Sequence, residues 1–357
     1  MISFAIVGSG WRSEFFLRIA EQLPQMFQVS GMVVRNEEKG RAFERSWGVS
    51  TYRSVQDLID HVNASFVVVS VPREVAPEIT IQLAQNGLPV LCETPPAKDL
   101  HDLIELNRLL QPDWKIQIAE QYMFQPNHAA RLNLVTSGVL GTIQQAQISI
   151  AHDYHGMSLI RKFLNLKYED ASIRAFVHEA PIVQSPDRNG PPTVSTIQNS
   201  KQMIATLHFG EKLAIYDFTD EQYFSWVRSP RMLIRGERGE MNNFDVKYLL
   251  DTGTAVADRI HRRDAGHDGN LEGFYLKGIW LGARLLYENE FTPGRLSDDE
   301  IAVATCLKKM DAYSKGGPSF YSVAEASQDH YLSLLIHEAA RSGETIVSSK
   351  QPWAKTI

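Results

Sequence analysis

Apolar residues in the first third of the chain come in short unbroken runs rather than in alternation. Phe4–Val7, Val29–Val34 and Phe66–Val71 are the clearest, and Pro89–Cys92 and Lys115–Ala119 read as later strands. Continuous β-branched runs of this length fit strands buried on both faces, as in a parallel sheet. Between them, Arg41–Trp47, Val55–Val62, Pro77–Gln85 and Leu100–Leu110 have helical character, with Gly48, Asn63 and Gly87 as stops. About six such βα units before Pro126 predict one complete doubly wound sheet.

After Pro126 the pattern changes. Asn127–Ser137 reads as a helix, Gly138 and Gly141 as a turn, and Ile143–Ala151 as a strand with alternating apolar positions. Ile173–Glu179, Gln202–Phe209, Lys212–Phe218 and Arg231–Arg235 are further strands, with Glu211 in a tight turn. Gln184–Thr193 and Asp258–Asn270 read as loops, rich in Gly, Asp and other turn formers. Tyr331, Leu334, Leu335 and Ala339 recur at helical spacing before Gly343. The expected fold is α/β: a doubly wound domain over 1–124, then an α/β domain over 125–357 with a large, mostly antiparallel open sheet.

Composition narrows the function. A chain of 357 residues suits two domains, and 42 acids against 36 bases leave a net charge of −6, with no basic surplus for nucleic acid. No run of about 18 apolar residues is free of charge, so no membrane span is expected. Cys92 and Cys306 fit neither a disulfide framework nor a zinc spacing. A soluble cytoplasmic protein with no metal follows as the expectation.

The first strand runs into Gly8-Ser9-Gly10-Trp11-Arg12-Ser13 and then a helix. Glycines there let the backbone approach a dinucleotide pyrophosphate over the helix N-terminus. Ser13 stands where a third glycine is usual. The second strand ends Val33-Val34-Arg35-Asn36, without the acid that would bind the ribose hydroxyls of NAD. Arg35 could instead hold a 2′-phosphate, which favours NADP, or lie over the adenine, which is compatible with NAD.

Cys92-Glu93-Thr94-Pro95-Pro96-Ala97, the Gly8-Ser9-Gly10 turn and Glu120-Gln121-Tyr122-Met123-Phe124-Gln125-Pro126 together resemble the Gfo/Idh/MocA oxidoreductases. Ile234–Glu240 resembles the strand-and-turn signature of that family's second domain. The resemblance implies a Rossmann domain, NAD(P), a sugar-like or polyol-like small-molecule substrate, and a homodimer or homotetramer built on the open sheet. It also implies cofactor contacts from Gly8, Gly10, Trp11, Arg12, Arg35, Asn36, Val71, Pro72, Glu93, Thr94 and Gln121. Two departures stand out. Thr94 replaces the lysine of the usual Glu-Lys-Pro, removing a cation and a titrating amine. In the segment Ala151–Lys162, His155 matches the family histidine, but Ala151 falls where an aspartate is usual.

His155 is therefore the first candidate for moving the hydroxyl proton, with Tyr154 and Lys162 as alternates and Lys162 as a source for the missing charge. Asp153, Arg161 and His267 are candidate substrate contacts. Aromatic residues between Tyr216 and Trp226 read chiefly as core, with one or two able to stack on a sugar ring. Two other functions fit the same residues: a redox-neutral enzyme that oxidises transiently to cleave a glycosidic bond, and a non-catalytic dinucleotide or sugar sensor.

Overall fold

The computed structural model of the protein describes residues 1–355. Strands β1 (Ile2–Val7), β2 (Phe27–Val33), β3 (Thr51–Tyr52), β4 (Phe66–Val69), β5 (Val90–Cys92) and β6 (Ile116–Ile118) form one sheet in the order β3-β2-β1-β4-β5-β6. Its pairings are parallel. Along β1, Phe4 and Ile6 enter one core while Ala5 and Val7 enter the other, which explains the unbroken apolar run.

Helices α1 (Trp11–Gln22) and α2 (Glu37–Trp47) send Phe16 and Phe43 into the first core. Helices α3 (Val55–His61) and α4 (Ala76–Gln85) send Leu58 and Leu83 into the second, and α5 (Leu100–Leu109) serves both through Leu103 and Leu106. Strand order reverses beside β1, where open α/β sheets form a crevice at their carboxyl ends. Strand β3 has only two residues and leaves no readable pattern; it completes the sixth position through Thr51 and Tyr52 against Met32 and Val33.

The second sheet has eleven strands, in the order β16-β15-β14-β13-β12-β11-β7-β10-β9-β8-β17. In chain order these come with four helices: α6 (Pro126–Thr136), β7 (Ile143–Ser149), α7 (Asp153–Phe163), β8 (Ser172–Val183), β9 (Ile197–Phe209), β10 (Lys212–Thr219), β11 (Arg231–Gly236), β12 (Gly239–Asn242), β13 (Asp245–Leu249), β14 (Ala255–Asp264), β15 (Leu276–Leu281), β16 (Arg284–Glu288), α8 (Asp298–Ser314), α9 (Val323–Ser342) and β17 (Ile346–Val347). Among the described residues of this sheet β7 and β10 alone pair in parallel, and the other neighbours are antiparallel.

One reading needs correction. Asp258–Asn270 is not all loop, because β14 continues through Asp264 and only the residues beyond it turn. Its charged side chains are accommodated by ion pairs, Arg259 with Asp245 and Arg262 with Asp298 at 2.7 Å, while Ile260 alone is buried. Such a strand lacks the apolar alternation that a sequence reading relies on.

The entry into α7 is tightly built. A Cβ on Gly156 would lie 2.5 Å from the Tyr216 ring, so only glycine lets the first turn press against β10. The Tyr216 hydroxyl accepts the Asp153 N–H at 2.8 Å, and Asp153 takes a left-handed φ of 41°. This turn sets the orientation of His152, Tyr154 and His155.

Candidate active site

The carboxyl ends of the first-sheet strands and the start of α7 border a single cavity of about 1490 Å³. At its floor Gly8 leaves β1 with φ 130°, and a Cβ there would sit 1.9 Å from the Ser70 carbonyl oxygen. Gly10 caps α1 without any side chain, leaving the helix N-terminus uncovered. The Ser13 hydroxyl is buried beside this turn with no partner. A side-chain-free turn, an uncapped helix start and an orphaned hydroxyl fit a pyrophosphate.

Arg35 also lines the cavity, as does Arg53 from the end of β3, which the sequence reading missed. Arg53 Nη1 donates to the Val34 carbonyl at 3.2 Å and to Thr51 Oγ1 at 2.8 Å. Gly40 makes room for it, since a Cβ there would meet that nitrogen at 2.6 Å. Asn36 does not line the cavity; its side chain caps α2 by accepting the Lys39 N–H at 2.8 Å.

Arg12 is held from three sides. Its Nε donates to Glu93 at 2.9 Å and Nη1 to Asp299 of α8 at 2.8 Å, and Nη2 lies 3.1 Å from the Gln121 side-chain amide, whose oxygen accepts from it once the amide is oriented to satisfy both its groups. The two carboxylates outweigh burial and hold the guanidinium above its ordinary range. Trp11 is half exposed, and Arg188 from the β8–β9 hairpin stacks on it at 3.8 Å. Val71, Pro72 and Thr94 complete the strand-end lining.

The second domain adds His152, Tyr154, His155 and Tyr223. His155 Nδ1 lies 2.6 Å from Glu120 Oε2, and Glu120 Oε1 accepts the Tyr122 N–H at 3.1 Å; both side chains are buried. A carboxylate can only accept, so Nδ1 carries a hydrogen, and Nε2, in a ring that lines the cavity, is the nitrogen left to exchange a proton with a bound group. Among the described residues Nε2 has no hydrogen-bond partner.

His152 sits between two phenols, Nδ1 2.6 Å from the Tyr223 hydroxyl and Nε2 3.3 Å from that of Tyr154. Burial, and then the neighbouring His155, push its pKa down to about 4, so it is neutral near pH 7. The rings of Tyr154 and Tyr122 lie 4.5 and 4.4 Å from that of His155. Burial raises both phenols above the usual range, keeping them protonated.

Four other candidates lie elsewhere, each held by a specific contact. Arg161 is buried in an ion pair with Asp329 at 2.5 Å and also donates to the Lys167 carbonyl. Lys162 pairs with Glu325 at 2.8 Å, so neither cation supplies charge to the cavity. Asp153 faces His337 at 2.7 Å, and His267 packs edge-on to Phe274 in the turn after β14. None of the four lines the cavity. The unforeseen partners Glu120, Asp299, Arg53 and Tyr223 come from four separate elements; Glu120 alone lay within a recognised motif. Among the described residues no cluster of three or more His, Cys, Asp or Glu could hold a metal ion, and no helix is long and apolar enough to cross a membrane.

Residues 2–118 match the Gfo/Idh/MocA oxidoreductase family model, described as an NAD-binding Rossmann fold. An uncharacterized oxidoreductase of Schizosaccharomyces pombe is 27% identical over 151 residues, which spans 40% of this chain and 40% of that relative. Among solved structures, levoglucosan dehydrogenase in complex with NADH is similar with a TM-score of 0.68 at 14% identity, covering 98% of this chain and 99% of that one. An NAD-binding oxidoreductase from Klebsiella pneumoniae has a TM-score of 0.68 at 11% identity, with the same coverage. A putative myo-inositol dehydrogenase from Sinorhizobium meliloti 1021 has 0.65 at 13%, covering 97% and 99%. At these identities the likeness concerns the fold.

Proposed function

We propose that the protein is an NAD(P)-dependent oxidoreductase that interconverts a secondary hydroxyl and a carbonyl on a sugar-like or polyol-like small molecule. The observation that carries this reading is that the Glu120–His155 pair opens onto the same cavity as the Gly8–Gly10 turn. A nicotinamide bound in this cavity would supply the hydride acceptor or donor. His155 Nε2 takes the proton of the substrate hydroxyl in oxidation and returns it in reduction, while Glu120 stabilises the imidazolium. Gly8, Gly10 and Ser13 would cradle the cofactor's pyrophosphate. Arg35 and Arg53 face the adenosine end from two strand tips, with no carboxylate on the β2 tip, which supports NADP over NAD.

The solved relatives described as levoglucosan and myo-inositol dehydrogenases support the substrate class. The large sheet exposes Phe176 and Ile197, which fits a second copy covering it, and the buried thiols Cys92 and Cys306 fit a reducing cytoplasm.

The test is titration with NADPH and NADH, followed by a sugar and polyol panel monitored by nicotinamide absorbance. NADPH bound more tightly than NADH, with turnover that His155→Ala abolishes while retaining nucleotide affinity, is the expected result. Tight nucleotide binding without turnover would overturn the catalytic reading in favour of a sensor. Glycoside cleavage without net nicotinamide change would favour the redox-neutral alternative.

A further inference from the structure

The family position that usually carries lysine is Thr94 here, and the nearby cations do not replace it: Arg12 is bound to Glu93 and Asp299, Lys162 to Glu325, and Arg161 to Asp329. Negative charge develops on the reacting oxygen as its proton leaves in oxidation and as hydride arrives in reduction, so a second stabilising group is needed beside His155.

The hydrogen bonds around His152 are all satisfied in one consistent direction. The Tyr223 oxygen accepts the His152 backbone N–H at 3.0 Å and the Tyr122 hydroxyl at 3.4 Å. With both lone pairs engaged, its own hydrogen is left to donate to His152 Nδ1 at 2.6 Å. A neutral ring that accepts at Nδ1 carries its hydrogen on Nε2, which faces the Tyr154 oxygen at 3.3 Å. The Thr94 side chain also lies against that oxygen. Tyr154 is thus supplied with donors and keeps its own O–H for the cavity it lines.

We infer that Tyr122, Tyr223, His152 and Tyr154 form a one-directional donor chain that delivers the Tyr154 hydroxyl to the reacting oxygen, a neutral substitute for the absent lysine. The inference rests on the proposed oxidoreductase function. No bond is made or broken in the chain. As negative charge grows on the substrate oxygen, Tyr154 donates more strongly, and each upstream donor compensates the next acceptor. Tyr154 is the catalytic residue of the chain. His152, Tyr223 and Tyr122 are positioning residues that act through it, whereas His155 alone exchanges the proton.

Three variants and one spectroscopic measurement test this. Tyr154→Phe should lower kcat by about a hundredfold. Tyr223→Phe and His152→Phe, one or two bonds removed, should lower it by about tenfold with KM and NADPH affinity unchanged. His152→Gln, which keeps an amide donor, should recover part of the loss. Independently of turnover, nitrogen-15 NMR of histidine-labelled full-length protein should show His152 as the Nε2–H tautomer, and Tyr223→Phe should shift it. Finding Nδ1–H in the wild type would overturn the chain directly. If Tyr223→Phe and His152→Phe keep kcat within threefold while His155→Ala is inactive, the chain is refuted and the oxidoreductase reading stands. A wild-type protein that turns over no panel member removes both the function and the oxygen the chain would serve.

Discussion

Glu120→Gln tests whether a buried carboxylate sets the working tautomer of His155. Glu120 accepts two hydrogen bonds, the Tyr122 N–H on Oε1 at 3.1 Å and His155 Nδ1–H on Oε2 at 2.6 Å. Glutamine has the same shape but only one acceptor oxygen. If that oxygen stays on Tyr122 N–H, the amide nitrogen faces Nδ1, which must then become the acceptor. The ring hydrogen moves to Nε2, and His155 meets the hydroxyl unable to take its proton. Restoring the original tautomer would oppose two N–H groups in a site where His155 and Glu120 are both buried. An unmade buried bond costs about 1–3 kcal/mol, or roughly ten- to a hundredfold. Losing the negative charge opposite the forming imidazolium adds to this, so kcat should fall by roughly 10²–10⁴, the range of general acid–base catalysis. Steady-state nicotinamide absorbance gives kcat, equilibrium titration should give an unchanged NADPH affinity, and a denaturation curve confirms folding. A folded variant that binds NADPH normally and keeps kcat within threefold would refute the assignment of Glu120 and, with it, the tautomer argument.

The glycine turn predicts a contrast between two neighbours. Gly8→Ala should lower both nucleotide affinity and melting temperature, because its Cβ would sit 1.9 Å from the Ser70 carbonyl at a φ that side chains avoid. Gly10→Ala should leave the melting temperature unchanged, since a Cβ there meets nothing within 4 Å; equal melting temperatures for the two variants would contradict the packing argument. His128 predicts an acid-sensitive stability term: burial first, and then Arg131, lower its pKa from 6.5 to about 3. The unfolded chain therefore binds the proton more readily, so stability is full above about pH 6.5 and is lost as pH falls towards 3. Over the 1.5 units from pH 6.5 to 5 the loss is about 2 kcal/mol, at about 1.4 kcal/mol per unit. Chemical denaturation of the wild type and His128→Asn should show that difference narrowing with acid, and parallel pH curves would rule it out.

The sequence by itself determined the architecture and marked the glycine-turn end of the cavity. Unbroken apolar runs declared a sheet buried on both faces, and the Gly8–Gly10 turn needs only its neighbours in the chain to make sense, because its constraint is local backbone space. Short or charged strands escaped that reading: β3 has too few residues for a period, and β14 balances its charge against β13 and the start of α8. The arrangement at the α7 end of the cavity was decided by tertiary structure. His155 was legible as a histidine at a helix start, but its partner Glu120 lies 35 residues away, and nothing local distinguishes that pairing. Arg161 and Lys162 follow His155 closely in sequence, yet the turn of α7 carries them to Asp329 and Glu325 on α9. Tyr223 is an aromatic near a strand until the fold sets its hydroxyl on His152. Spacing along a chain fixes which residues share an element, whereas hydrogen-bond partners depend on how elements cross, and that depends on packing such as Gly156 against Tyr216.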